Sequence, residues 1–96
     1  MITLHIEHAI SDYPAWRAAF DRFAGARREA GVLGARVAVP LDDPQHIVID
    51  LDFDSQEQAR SFLDFLRTTV WSTSANSPAL AGAPEAVILR RFAVDV

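Results

Sequence analysis

Residues 45–53 read Gln-His-Ile-Val-Ile-Asp-Leu-Asp-Phe, and their alternation decides the fold. Ile47, Ile49, Leu51 and Phe53 fall on one side; His46, Val48, Asp50 and Asp52 fall on the other. A period of two built on branched apolar residues marks a strand with one buried face. What flanks the strand sets its connections. Before it, Pro40-Leu41-Asp42-Asp43-Pro44 has turn composition. After it, Asp54 with Glu57, or Ser55 with Gln58, has the spacing of a helix capping box. The strand is therefore entered from a tight turn and left into a helix.

Upstream, residues 32–39 form another strand, with Leu33, Ala35, Val37 and Val39 on one side. The short turn makes the two strands a hairpin. Downstream, Ala59, Phe62, Leu63, Leu66 and Val70 recur at helical spacing, with Phe65 and Thr69 to one side, until the helix ends near Trp71. The same succession opens the chain. Ile2, Leu4 and Ile6 alternate with Thr3, His5 and Glu7, a strand. Asp12 is placed to cap a helix, and Pro14 is tolerated in its first turn. Over residues 14–30, Trp16, Ala19, Phe20, Phe23 and Ala24 line one helical face, while Arg17, Asp21, Arg22 and Arg28 lie elsewhere. Gly25 weakens this helix by about 1 kcal/mol relative to alanine. Gly31 suits the position just past its end. Residues 72–84, rich in Ser, Ala, Pro and Gly, form a loop with room for one helical turn from Pro78. Its length makes it a lid candidate. Residues 86–94 form the last strand, interrupted by Arg90 and Arg91.

The order is β-α-β-β-α-β, the α+β arrangement of a ferredoxin-like fold. It predicts a four-stranded antiparallel sheet, strands one and three central, with two helices on one face. Residues 1–96 make one domain.

Composition narrows the chemistry. Half the residues are hydrophobic, enough for one core and too many for a disordered chain. Cysteine is absent, which excludes disulfides, thiolate zinc sites and a cysteine nucleophile. All nine basic residues are arginine, so a Schiff-base or phosphate-loop lysine is excluded. A net charge of −4 and a pI near 5.1 argue against nucleic-acid or anionic-membrane partners. No targeting segment is visible, and no apolar run approaches the roughly 18 residues of a membrane helix. The expected location is the cytoplasm.

Three stretches resemble the dimeric α/β-barrel group that includes antibiotic-biosynthesis monooxygenase-like proteins. They are His8-Ala9-Ile10-Ser11-Asp12-Tyr13-Pro14-Ala15-Trp16 with Ala19-Phe20-Asp21; Arg28-Glu29-Ala30-Gly31-Val32; and Asp43-Pro44-Gln45-His46-Ile47-Val48 leading to Phe53. The resemblance implies a homodimer packed sheet against sheet, and a small-molecule pocket between each sheet and its helices. Members of the group resemble cofactor-independent oxygenases, haem-degrading enzymes, isomerases or cyclases. The haem-degrading members carry a helix tryptophan followed by a histidine ligand. Trp71 matches the first, but no histidine follows His46.

His8 continues the inward Ile2-Leu4-Ile6 face and is the candidate general base. The plainer alternative is a core histidine bonded to a backbone carbonyl or a carboxylate, with Asp12 the expected partner. Asp12, Tyr13, Trp16 and Trp71 are the candidate ligand-binding residues, because aromatic walls with few polar groups suit a small ligand. For Trp16, simple helix-to-sheet packing is the competing reading. On the opposite face, Thr3, His5, Glu7, His46, Val48 and Asp50 gather as a polar dimer interface, in preference to a metal site. Arg90 and Arg91 read first as edge-strand charges that discourage aggregation; the alternative is that one of them meets a carboxylate of a partner chain or a ligand. No flavin, nicotinamide, haem or nucleophile-elbow motif is present. The reading that follows is a cofactor-independent monooxygenase-like or cyclase-like enzyme for a small aromatic or polyketide-type compound. The alternative is a non-catalytic ligand-binding or dimerisation module.

Overall fold

The computed structural model describes all 96 residues. Its strands are β1 (Ile2–Ile10), β2 (Gly34–Ala38), β3 (His46–Phe53) and β4 (Leu80–Arg90). Its helices are α1 (Tyr13–Arg22), α2 (Ala24–Glu29) and α3 (Gln56–Phe65), the last continued by a π-helical turn at Leu66–Val70. The sheet is antiparallel in the order β2-β3-β1-β4, so β1 and β3 are central as expected. Leu4 pairs with Leu51, Ile6 with Ile49 and His8 with Ile47. This register puts the apolar sides of both central strands on one face. Leu4, Ile47 and Phe53 are wholly buried there, packed with Trp16, Ala59, Phe62 and Leu63 from the helices.

The helix ends follow local chemistry. The Asp12 carboxylate accepts the Ala15 N–H at 2.9 Å and starts α1. Of the two capping boxes, Ser55 with Gln58 is the one that forms: each side chain takes the other's backbone N–H at 3.2 Å. Gly31, at φ +90°, ends α2. Its N–H reaches the Arg28 carbonyl, and the Val32 N–H reaches that of Arg27, which is the Schellman pattern. A Cβ there would come within 2.6 Å of the Gln58 amide nitrogen.

The first strand carries His8 and ends at Ile10, just before Ser11, as expected. Three other features differ from expectation. The first helix breaks at Phe23 (φ −96°, ψ 13°), whose ring meets Phe65 edge-on at 6.1 Å. The second helix ends in the π turn, where the Trp71 N–H reaches the Leu66 carbonyl at 2.7 Å. The last strand begins at Leu80 and ends at Arg90, not at 86 and 94, and no helix starts at Pro78. Gly82, Ala83 and Pro84 belong to β4 because they form a bulge: Glu85 faces Glu7 and Ala81 faces Ala9, so three residues stand opposite His8. A bulge is where a strand accepts a proline without an N–H and a glycine at φ +77°.

Candidate functional site

Between the inner sheet face and the helices lies a partly open cleft lined mostly by hydrophobic side chains. The sheet contributes Ile6, His8, Ile49 and Leu51. Helix α1 contributes Trp16 and Phe20, stacked with ring centroids 4.8 Å apart. Phe62, Leu66 and Trp71 come from α3 and its extension. The π turn matters here: one added residue in the turn carries Val70 into the core and Trp71 to the cleft. The connection before β4 supplies Asn76, Ser77 and Ala79. That segment is tied down, since the Ser11 N–H donates to the Ala79 carbonyl (2.9 Å) and the Asn76 amide to that of Thr69 (2.8 Å).

His8 is 4% exposed and its ring has one hydrogen bond, from Nδ1 to the Ala9 carbonyl at 2.9 Å. A carbonyl only accepts, so Nδ1 carries the proton and Nε2 keeps its lone pair. No buried side-chain nitrogen or oxygen is sealed without a partner. Nε2 has no protein partner and so is not fully enclosed, and His8 lines the cleft. Burial pushes the His8 pKa below its ordinary value of 6.5; the Ala9 carbonyl partly offsets this, and the charge of His46 adds to it. The site thus offers a neutral imidazole with a fixed tautomer among aromatic rings. A bulge opposite such a residue is a recognised way of aiming a side chain.

Three of the expected site residues line the cleft: His8, Trp16 and Trp71. Asp12 and Tyr13 do not. The Asp12 carboxylate is occupied by the helix N-terminus, and Ala9 is the histidine's partner in its place. Tyr13 stands behind Trp16, centroids 6.0 Å apart, and its hydroxyl accepts from Arg17 at 3.0 Å. Arg27 lines the cleft but was not among the candidates. Its signal was present: Trp16, Phe20, Phe23 and Arg27 follow the i, i+4, i+7, i+11 stripe of one helical face.

The outer sheet face is built differently. His5 Nδ1 meets Asp50 at 2.7 Å, His5 Nε2 meets Glu7 at 2.8 Å, and Glu7 meets His46 Nε2 at 2.9 Å. Both His5 nitrogens face carboxylate oxygens, so both donate when the ring is an imidazolium. The hydrogen bond to Glu7, then that to Asp50, raises the His5 pKa. Bonds from His46 and His5 lower that of Glu7. These groups pair with one another, and no three His, Asp or Glu side chains are arranged as a metal's donor set. Alongside, Asp52 takes Arg36 (2.7 and 3.0 Å), Thr3 (2.8 Å) and Arg91 (3.2 Å). Arg36 foremost holds its carboxyl far below the usual range. Arg91 thus meets a carboxylate of its own chain, not the expected one of a partner or a ligand.

No family model matches the sequence, and no curated protein matches it. Solved structures do match in fold. A candidate antibiotic biosynthesis monooxygenase from Bordetella bronchiseptica superposes with a TM-score of 0.74 at 12% identity, over 96% of this chain and 97% of that one. SnoaB, a cofactor-independent oxygenase from Streptomyces nogalater, gives 0.73 at 14%, over 97% and 94%. A monooxygenase from the gene ActVA-Orf6 of Streptomyces coelicolor, solved with the ligand nanaomycin D, gives 0.66 at 15%, over 99% and 90%. At these identities the likeness is one of fold. The chain carries the ferredoxin-like fold of antibiotic biosynthesis monooxygenase-like proteins.

Proposed function

We propose that the cleft binds a small aromatic or polyketide-type compound, and that His8 acts on it as a general base in cofactor-independent, monooxygenase-like or cyclase-like chemistry. One observation carries this reading: a buried histidine that lines an aromatic cleft has Nδ1 tied to a backbone carbonyl and no protein partner on Nε2. Nε2 would take a proton from an acidic C–H or O–H of the ligand, leaving the ligand as an enolate or phenolate. Oxygenation would then require dioxygen as second substrate; cyclisation would require only an internal electrophile. Trp16 and Trp71 would hold the ring. Tyr13 and Asp12 would act at one remove, by packing against Trp16 and by capping the helix that carries it. The oxygenase and ligand-bound neighbours support this reading through their fold.

The test is a ligand screen by thermal shift, followed by product analysis. With a compound that is turned over, His8→Ala is expected to lower the rate by about 10²-fold or more, the usual share of a positioned base. Binding should persist, because the aromatic walls remain. Full activity in His8→Ala removes histidine from the chemistry. Ligands that stabilise the fold and return unchanged favour binding alone.

The homodimer is proposed through the face without helices. Val87 and Leu89 are 48% and 40% exposed there, beside His5 and Thr3. A second copy would cover them. Light scattering at micromolar concentration should give twice the chain mass; a stable monomer contradicts this arrangement.

A further inference from the structure

Arg27 differs from every other arginine in the chain. The other eight are exposed; Arg27 is half-buried and lines the aromatic cleft. Arg17, Arg36 and Arg91 each have a carboxylate partner, whereas Arg27, the charged residue of the cleft wall, has no ion pair. It is nevertheless held in place. Its guanidinium carbon lies 3.6 Å from the centroid of the Phe20 ring, and Nη1 donates to the Phe20 carbonyl at 2.7 Å. That carbonyl belongs to the last turn of α1, where a cation is favoured. This is the guanidinium's one hydrogen bond, so most of its five N–H donors are unused. Fixed charge, unused donors and an aromatic surround together select for a ring carrying an anionic oxygen. A guanidinium reads such an oxygen with paired N–H donors, and its rigid placement reduces the ordering cost of binding.

Resting on the cleft being a small-molecule site, we propose that Arg27 is its specificity-determining residue and that the ligand is a planar aromatic compound bearing an oxyanion. His8 and Arg27 then divide the work. The histidine is a neutral acceptor, and the arginine is the cation that holds the charged oxygen, whether the ligand arrives ionised or is ionised in the cleft. The competing role for Arg27 is purely structural, closing the end of α1 and covering Phe20. That role predicts no preference for anions. Nor does the chain as a whole supply one, since its net charge is −4.

The experiment is calorimetric titration of the intact protein with two probes of matched shape, 2-naphthoate and 2-naphthamide. The wild-type chain should bind the carboxylate about tenfold more tightly than the amide, as expected for one charge-assisted hydrogen-bonded contact. In Arg27→Gln the preference should fall to within about twofold, with the amide's affinity nearly unchanged; Arg27→Lys should retain part of it. Equal binding of both probes by the wild type, or a preference that survives Arg27→Gln, overturns the assignment and leaves the cleft reading standing. The wild-type comparison needs no variant to fold. If neither naphthalene binds, the cleft reading fails and this assignment fails with it.

Discussion

His5 and His8 stand three residues apart on β1, on opposite faces of one sheet, and the two faces make them different chemical objects. His8 looks inward, where burial lowers its pKa and the hydrogen bond to the Ala9 carbonyl offsets only part of the shift. His5 looks outward, where hydrogen bonds to Glu7 and Asp50 favour its charged form and raise its pKa. An odd offset along a strand suffices for the separation. Desolvation acts on the charged form and carboxylate hydrogen bonds act for it, so the same side chain is driven in opposite directions. The inner face thereby keeps an imidazole that no carboxylate pairs. The outer face spends its polar groups on one another and leaves Val87 and Leu89 in the open.

Mutations can break this contrast. The largest effect is expected at Leu4, which is wholly buried. Leu4→Ala should cost about 2–5 kcal/mol in urea unfolding, whereas Val87→Ala should stay within about 0.5 kcal/mol for the unassociated chain. Equal losses would show that the sheet is not one-sided. Asp52→Asn removes the carboxylate shared by Arg36, Arg91 and Thr3, and a loss of about 1–3 kcal/mol is expected. His5→Gln should cost less than about 1 kcal/mol, because its partners Glu7 and Asp50 are partly exposed and solvent-screened pairs contribute little. A larger loss than that of Asp52→Asn would place the outer network, not the arginine cluster, at the centre of that face.

The difference between the two faces was legible in the sequence because it depends only on alternation. Ile2, Leu4, Ile6 and His8 share one parity, as do Thr3, His5 and Glu7. Element order, the central strands, the caps at Asp12 and Ser55 and the stop at Gly31 are local signals of the same kind. What escaped depends on long-range geometry. Gly82-Ala83-Pro84 has loop composition, and only pairing with β1 makes it a bulge. Phe23 fits an unbroken helix until Phe65 draws it aside. Arg91 and Asp52, 39 positions apart, meet through strand register. Asp12 seemed free to bind His8 because its capping bond and the Ala9 carbonyl could not be weighed against each other. Arg27 was hidden by its charge: a helical arginine is ordinarily outside.

The pH dependence follows from the two histidines with opposite sign. His8, depressed below 6.5, contributes stability that is complete above 6.5 and lost as pH falls through its folded-state pKa. His5, raised above 6.5, contributes stability that is complete below 6.5 and lost as pH rises through its folded-state pKa. The measurement that bears most directly on the proposed chemistry is a long-range proton–nitrogen NMR spectrum of the histidine rings at pH 6.5. His8 should be mostly neutral, with its proton on Nδ1 and a bare Nε2, while His5 in the same sample is mostly imidazolium. A charged His8, or one with its proton on Nε2, would contradict the assignment of this residue as the base.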